Sequence, residues 1–355
     1  MKKTVLAIAA ALSVSLLFAN GSADKTAEKG KTKVWPKTTP VVYVGFGAGG
    51  GTDTAVRPVV QLMEKKLGET INVVNQAGAA SAIAANNVVN KPHDGYSMFA
   101  TGSGSFSGFR VNGTSNTYWK DWISLHPFTG PAVLLVRSDS PVKTYDDAIK
   151  LLKSKKVNFA ISGFGTGPHV LFEAIIKLAG VSSPNYMTAG SCNKAAVNVI
   201  AGDAEMAMGT FGSVIDFVKA GQLRALAITS LQDYTKNGLN VPSICKLQSG
   251  SDSVPMLSET WPIMMPRDCP KEIIDKVTDA FKWAVQQPEV KDYAEKMAFE
   301  VCGYTGEEAD KFYALQESGY SWAQWNAGMV KNDPGKLGIP KLEDFNWDEL
   351  KKQIK

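Results

Sequence analysis

The chain has 355 residues, 44% hydrophobic and 20% charged, with a formal net charge of +4. That is enough to bury two cores. The charges are scattered rather than banked on one stretch, which argues against a nucleic-acid partner. The three histidines and four cysteines lack metal-ligand spacing, so no metal and no cofactor are expected.

The N-terminus reads as an export signal. Met1-Lys2-Lys3 is followed by an apolar run over residues 5–19, with Ala19 and Ala23 as plausible cleavage ends. This run is shorter than the ~20 residues of a membrane span and carries a signal-peptide flank. Residues 1–23 are therefore expected to be removed, leaving a soluble periplasmic chain with a flexible leader over 24–33. In an oxidising compartment a Cys245–Cys269 disulfide stands as an open alternative to free thiols.

An apolar strand over 41–44 feeds Gly45-Phe46-Gly47-Ala48-Gly49-Gly50-Gly51-Thr52-Asp53, and a helix is predicted over 54–67. A bare loop at a helix N-terminus is an anion site, because free amides and the helix dipole both favour negative charge. Gly45, Gly47 and Gly50 also satisfy the dinucleotide pattern G-x-G-x-x-G. The next strand, however, ends in Asn75 rather than an acidic ribose ligand, and no Gly-Lys-Ser/Thr follows to make a P-loop.

Strands and helices then alternate. A strand over 71–74 precedes a helix over 79–89, and a strand over 97–101 ends in a loop, Gly102-Ser103-Gly104-Ser105. Further strands are read at 132–136, 157–161, 185–187, 205–208 and 225–229. Helices are read at 145–152, 168–178 and 194–201, and then at 271–286, 288–297 and 307–325. Small-residue loops fall at strand ends again at 162–167, 188–191 and 209–212. Alternating β and α imply parallel sheets covered on both faces, with ligands beyond the carboxyl ends of the strands. Five such loops, split between the halves of the chain, predict a crevice shared by two lobes.

Several segments together resemble the substrate-binding proteins of tripartite tricarboxylate transporters, the Bug-type receptors. They are Trp35-Pro36 with the glycine loop, Val73-Val74-Asn75-Gln76-Ala77-Gly78 and His93-Asp94-Gly95-Tyr96. Gly202-Asp203-Ala204-Glu205-Met206, Lys219-Ala220-Gly221-Gln222-Leu223-Arg224-Ala225-Leu226-Ala227 and Pro270-Lys271-Glu272-Ile273-Ile274 complete the set. The resemblance covers roughly residues 35–325. Three places depart from it, one of them the tail after Asn332, which reads as an extension or a divergent ending. Tyr186-Met187-Thr188-Ala189-Gly190-Ser191 lacks the basic residue of the family's loop, and Leu257-Ser258-Glu259-Thr260 stands where a Pro-Thr-x-x-Glu motif is expected.

The resemblance implies an α/β, two-lobed periplasmic-binding-protein fold of type II, the Venus flytrap. Lobe 1 would comprise 34–131 and 255–355, and lobe 2 would comprise 132–254. It implies a monomeric receptor that closes on a small carboxylate and hands it to integral-membrane permease subunits. The carboxylate oxygens would be held by loop amides, hydroxyls and water, with few arginine contacts.

The expected ligand-binding residues in the first lobe are Phe46, the amides of Ala48, Gly49, Gly50, Gly51 and Thr52, and the hydroxyls of Ser103 and Ser105. Gly165, Thr166 and His169 would face them, with Thr188, Ser191, Thr210 and Phe211 closing the sides. Asp53 is expected to cap rather than meet an anion. No catalytic residues are expected. A ligand sensor for a membrane signalling partner is the near alternative, and an exported hydrolase the distant one, since Gly102-Ser103-Gly104 lacks the Gly-x-Ser-x-Gly spacing.

Overall fold

The computed structural model describes residues 35–252 and 254–354. The expected signal peptide and leader lie outside the described residues.

The first half of the chain runs β1 (Val41–Val44), α1 (Gly51–Leu67), β2 (Asn72–Asn75), α2 (Ala82–Val89), β3 (Ser97–Ala100), α3 (Ser103–Ser107), α4 (Phe109–Asn112) and β4 (Trp122–Gly130). After Pro131 come β5 (Ala132–Arg137), α5 (Tyr145–Ser154), β6 (Asn158–Ile161), α6 (Gly167–Leu178) and β7 (Asn185–Thr188). These are followed by α7 (Cys192–Ala201), β8 (Met206–Thr210), α8 (Phe211–Lys219), β9 (Leu223–Ile228) and α9 (Ile244–Leu247). The chain then returns through β10 (Glu259–Thr260), β11 (Ile263–Pro266), α10 (Lys271–Val285), α11 (Pro288–Lys296), β12 (Glu300–Tyr304), α12 (Gly306–Asn326) and α13 (Trp347–Leu350).

Two separate sheets result. The first is ordered β2-β1-β3-β11-β4-β10, with β12 also on β4, and the second β7-β6-β8-β5-β9. β1 is parallel to β2 and β3, while β11 is antiparallel to β3. β6 is likewise parallel to β7 and β8, while β5 is antiparallel to β8. Each sheet thus has three parallel strands and then an antiparallel strand that follows a crossing from the other sheet. This repeated pattern is the two-lobed α/β architecture. The crossings lie side by side, because Glu259 pairs with Gly130 and Thr260 with Thr129.

Sheet burial follows from side-chain alternation. Along β5, Leu134 and Val136 enter one core with Phe159 and Phe172, while Val133 and Leu135 enter another with Phe211 and Ile215. The first sheet is covered by α1 and α10, whose Val56, Val59, Val277 and Phe281 share a core. Each fully buried large apolar side chain contributes about 1.5–3 kcal/mol. Helix α12 spans both halves: Ser321 donates to Ser107 O beside α3, and Tyr320 donates to Leu257 O at 2.6 Å on the returning crossing.

Several segments differ from the sequence reading. Residues 102–105, read as a loop, open α3, and the 209–212 loop is absent because β8 passes directly into α8 at Thr210–Phe211. Helix α2 begins only at Ala82, since Ala79, Ala80 and Ser81 have positive φ. β4, β10, β11 and β12 were not read. The Cys245–Cys269 pairing does not form. All four cysteines are free, and the two pack against different cores.

Candidate functional site

The glycine loop turns at Gly49, whose φ of +74° suits a residue without Cβ. The Gly49 amide donates to Asp53 Oδ2 at 2.9 Å, and Asp53 Oδ1 accepts from Arg57 and Asn75. Burial acts to raise the Asp53 pKa, but the Arg57, Gly49 and Asn75 hydrogen bonds together hold it below the ordinary carboxylate value. Asp53 therefore ties the loop to the helix. Gly50 is the N-cap of α1 and supplies no side-chain cap, so the first amides of α1 keep no intrahelical acceptor.

Three more helices begin nearby. Thr166 and Thr210 are the N-caps of α6 and α8, and neither makes a side-chain cap bond. The Thr166 hydroxyl donates to Gly163 O at 2.8 Å, and that of Thr210 donates to Glu259 Oε2 at 3.3 Å. Ser191 does cap α7, through Lys194 N. The four helix starts converge on a narrow cavity of about 20 Å³ between loops of the two sheets. The loops already touch: a Cβ built on Gly50 would stand 3.3 Å from Ser191 Cβ, and one on Gly51 would stand 3.1 Å from Thr210 Oγ1.

Of the residues expected at the site, Phe46, Gly50, Gly51, Thr52, Ser105, Thr166, Ser191 and Thr210 line this cavity. The others are placed elsewhere. Ala48 is exposed, and Gly49 serves the turn. Ser103 is buried and committed, accepting from Thr260 N at 3.0 Å and donating to Gln316. Gly165 donates its amide to His169 Nδ1 at 3.0 Å. His169 lies buried against the edge of Tyr186, and burial lowers its pKa to about 4. Thr188 is exposed at the end of β7. Phe211 is fully buried against Tyr234.

Five lining residues were not in the expected set: Ser162, Pro168, Cys192, Glu259 and Trp261. Ser162 lies inside the small-residue loop at 162–167, and Pro168 and Cys192 directly follow the loops at 162–167 and 188–191. Glu259 stands in the Leu257-Ser258-Glu259-Thr260 segment at the expected motif, but only the returning crossing brings it and Trp261 to the cavity.

The electrostatics are unusual for an anion site. Among the described residues no Lys or Arg lines the cavity, and Glu259 is its only charged-type side chain. Burial pushes the Glu259 pKa up to about 7, partly opposed by the Thr210 hydrogen bond. Ser105 Oγ is buried and has no hydrogen-bond partner among the described residues. Positive potential therefore comes from peptide dipoles, and polar specificity from hydroxyls, the Glu259 carboxyl and the Trp261 indole.

A wider depression lies at the crossing, lined by Pro131, Asp233, Lys236, Glu295 and Glu300 among others. Its acids outnumber its base, and Glu295 stands in the last turn of α11, where the helix dipole is negative. That wall opposes an anion.

The family model of the tripartite tricarboxylate transporter family receptor matches residues 55–321. A UPF0065 protein from Cupriavidus necator is 24% identical over 348 residues, covering 96% of this chain and 97% of its own. Among solved structures, MatC from Rhodopseudomonas palustris with bound malate has a TM-score of 0.74 at 21% identity, covering 81% of this chain and 99% of its own. An R. palustris protein with adipate has a TM-score of 0.76 at 18% identity, covering 83% and 99%. The periplasmic binding protein BugD has a TM-score of 0.74 at 19% identity, covering 84% of this chain and 100% of its own, so the chain shares that fold. The chain belongs to the tripartite tricarboxylate transporter receptor family, the Bug-type solute-binding proteins.

Proposed function

We propose that this chain is a periplasmic receptor, exported by removal of residues 1–23, that captures a small di- or tricarboxylate or a related acidic metabolite. Lobe 1 (34–131 and 255–355) and lobe 2 (132–254) close on the ligand, and the monomer delivers it to a tripartite membrane permease. One observation carries the reading: four helix N-termini, three without a side-chain cap, meet around a cavity lined by no cationic side chain. The carboxylate is held by amides at Gly51 and Thr52 and by the starts of α6, α7 and α8. Ser105 and Ser162 add hydroxyls, and Phe46 and Trp261 form apolar walls.

The magnitudes are adequate. Charge-assisted hydrogen bonds contribute roughly 1.5–3 kcal/mol each. Micromolar affinity needs about 8 kcal/mol net. Four to six such bonds reach that range after ordering and desolvation. The malate and adipate in the two neighbouring structures are dicarboxylates, which fits this class.

The test is calorimetric titration of residues 24–355, unfolded and refolded to strip any carried-over ligand, with malate, succinate, adipate, citrate, aspartate and glutamate. Binding at about micromolar Kd by at least one acid is expected. Folded protein that binds none of them refutes the reading.

A further inference from the structure

We propose that Glu259 is a proton-linked recognition residue: it enters the complex as a neutral carboxyl and donates its O–H to a carboxylate oxygen of the ligand, so that each anion is captured together with one proton. The inference rests on the receptor reading above and adds the regulation of that site.

The argument begins with position. Glu259 lies on β10, paired with Gly130 at the paired crossings, and its side chain reaches the cavity. There it stands between the two halves. A Cβ built on Gly167, at the start of α6, would lie 2.8 Å from Glu259 Oε1, and one on Gly102, before α3, would overlap the same oxygen. Both positions are glycine, so the carboxyl fills a slot that any other residue would block. Thr210 Oγ1 is its one hydrogen-bond donor among the described residues, and it engages Oε2.

Among the described residues no cation pairs with this group. On α7 it faces the buried Cys192 thiol, and on α12 the Tyr313 and Tyr320 phenols, all held protonated by burial. On β4, His126 is joined to the neighbouring Thr260, and burial holds its pKa at about 3, so it is neutral. His169 on α6 is also neutral, at about 4. On α1, Asp53 is paired with Arg57; the Arg110 and Arg267 guanidiniums are occupied by Glu317 and Asp310. Burial pushes the Glu259 pKa up to about 7, against the Thr210 hydrogen bond.

A ligand carboxylate entering the same cavity is a like charge with low-dielectric walls. Two carboxylates in one site raise the pKa of one of them strongly. The ligand's own carboxyls, with ordinary values near 4, stay ionised. The proton therefore settles on Glu259. The step balances as ligand anion plus one solvent proton plus the Glu259 carboxylate, giving the bound anion hydrogen-bonded to a neutral carboxyl. Release follows when the site opens, water returns and the proton leaves.

The experiment is calorimetry of the wild-type protein with malate and, separately, adipate, at pH 8.5 in buffers of different ionisation enthalpy, which counts protons directly. Uptake near one proton per ligand is expected, with Kd rising about tenfold per pH unit above pH 8. Glu259→Gln keeps a hydrogen-bond donor but does not titrate, so it should bind with a Kd flat from pH 6 to 9 and no proton uptake. Binding with no proton uptake overturns the proposal while leaving the carboxylate receptor intact. Proton release, with aspartate preferred over malate, also overturns it, since Glu259 would then pair as an anion with an ammonium. If no acid binds at any pH, the receptor reading falls and this proposal falls with it.

Discussion

Replacing Gly50 with Asp separates folding from binding. Gly50 has φ −76° and ψ 171° at the N-cap of α1, a conformation Asp adopts readily. An Asp there caps the free amides of the first turn and complements the dipole, which favours folding by a few tenths of a kcal/mol over Gly. Its Cβ would lie 3.1 Å from Gly47 O and 3.3 Å from Ser191 Cβ, so neighbours must shift by a few tenths of an ångström. These effects nearly cancel, and stability should change by less than about 1 kcal/mol. Binding should respond quite differently. The new carboxylate occupies two amides that otherwise hold the ligand, and losing two charge-assisted bonds removes about 3–6 kcal/mol. That is a loss of roughly 10²- to 10⁴-fold in affinity, with like-charge repulsion added. Calorimetry with the tightest-binding acid and a thermal melt measure the two quantities. Gly50→Asn caps without a charge and should fall between. Binding by Gly50→Asp within threefold of wild type, with the melt unchanged, would refute α1 as a ligand donor.

Other expectations follow from individual groups. Ser105→Ala deletes a buried hydroxyl that has no partner among the described residues, so the ligand-free melt should be unchanged or slightly higher while affinity falls about 10- to 150-fold, for one charge-assisted hydrogen bond. Ser103→Ala, by contrast, should lower the melt, because it strands the buried Thr260 amide at a cost of about 1–3 kcal/mol. His126 is neutral in the fold, with its pKa lowered by burial from 6.5 to about 3. The unfolded chain therefore binds the extra proton across that window, and stability should fall by a few kcal/mol as pH drops through it. His126→Gln should flatten that limb in pH-dependent denaturation. Unreduced, denatured protein should react with four equivalents of thiol reagent, matching four free cysteines; two equivalents would restore a disulfide.

The sequence was most informative where chemistry is local. The strand–glycine–helix unit at 41–67 is legible because small residues at a strand end have few other uses, and α1 forms there with its amides bare. The parallel β–α alternation on either side of the first crossing was equally readable from hydrophobic runs. β4 was hidden because His126, Pro127 and Thr129 interrupt its apolar pattern, and it is stabilised by pairing with β11 and β12 from far along the chain. β10 has two residues and no periodicity to detect. Glu259 and Trp261 were missed as site residues for the same reason, since only the return crossing brings them to the cavity. Phe211 and Ser103 show the opposite error. Both stand beside small-residue segments, yet one is core and the other is committed to backbone.

The most direct test of the account is a crystal structure of the protein with its tightest-binding acid. The account predicts a ligand carboxylate about 2.7–3.1 Å from the first amides of α1, with further amides or hydroxyls of α6, α7 or α8 on the remaining oxygens, and no lysine or arginine in hydrogen-bond reach. A ligand paired to a guanidinium or ammonium, or seated instead in the depression beside Asp233 and Glu295, would contradict it.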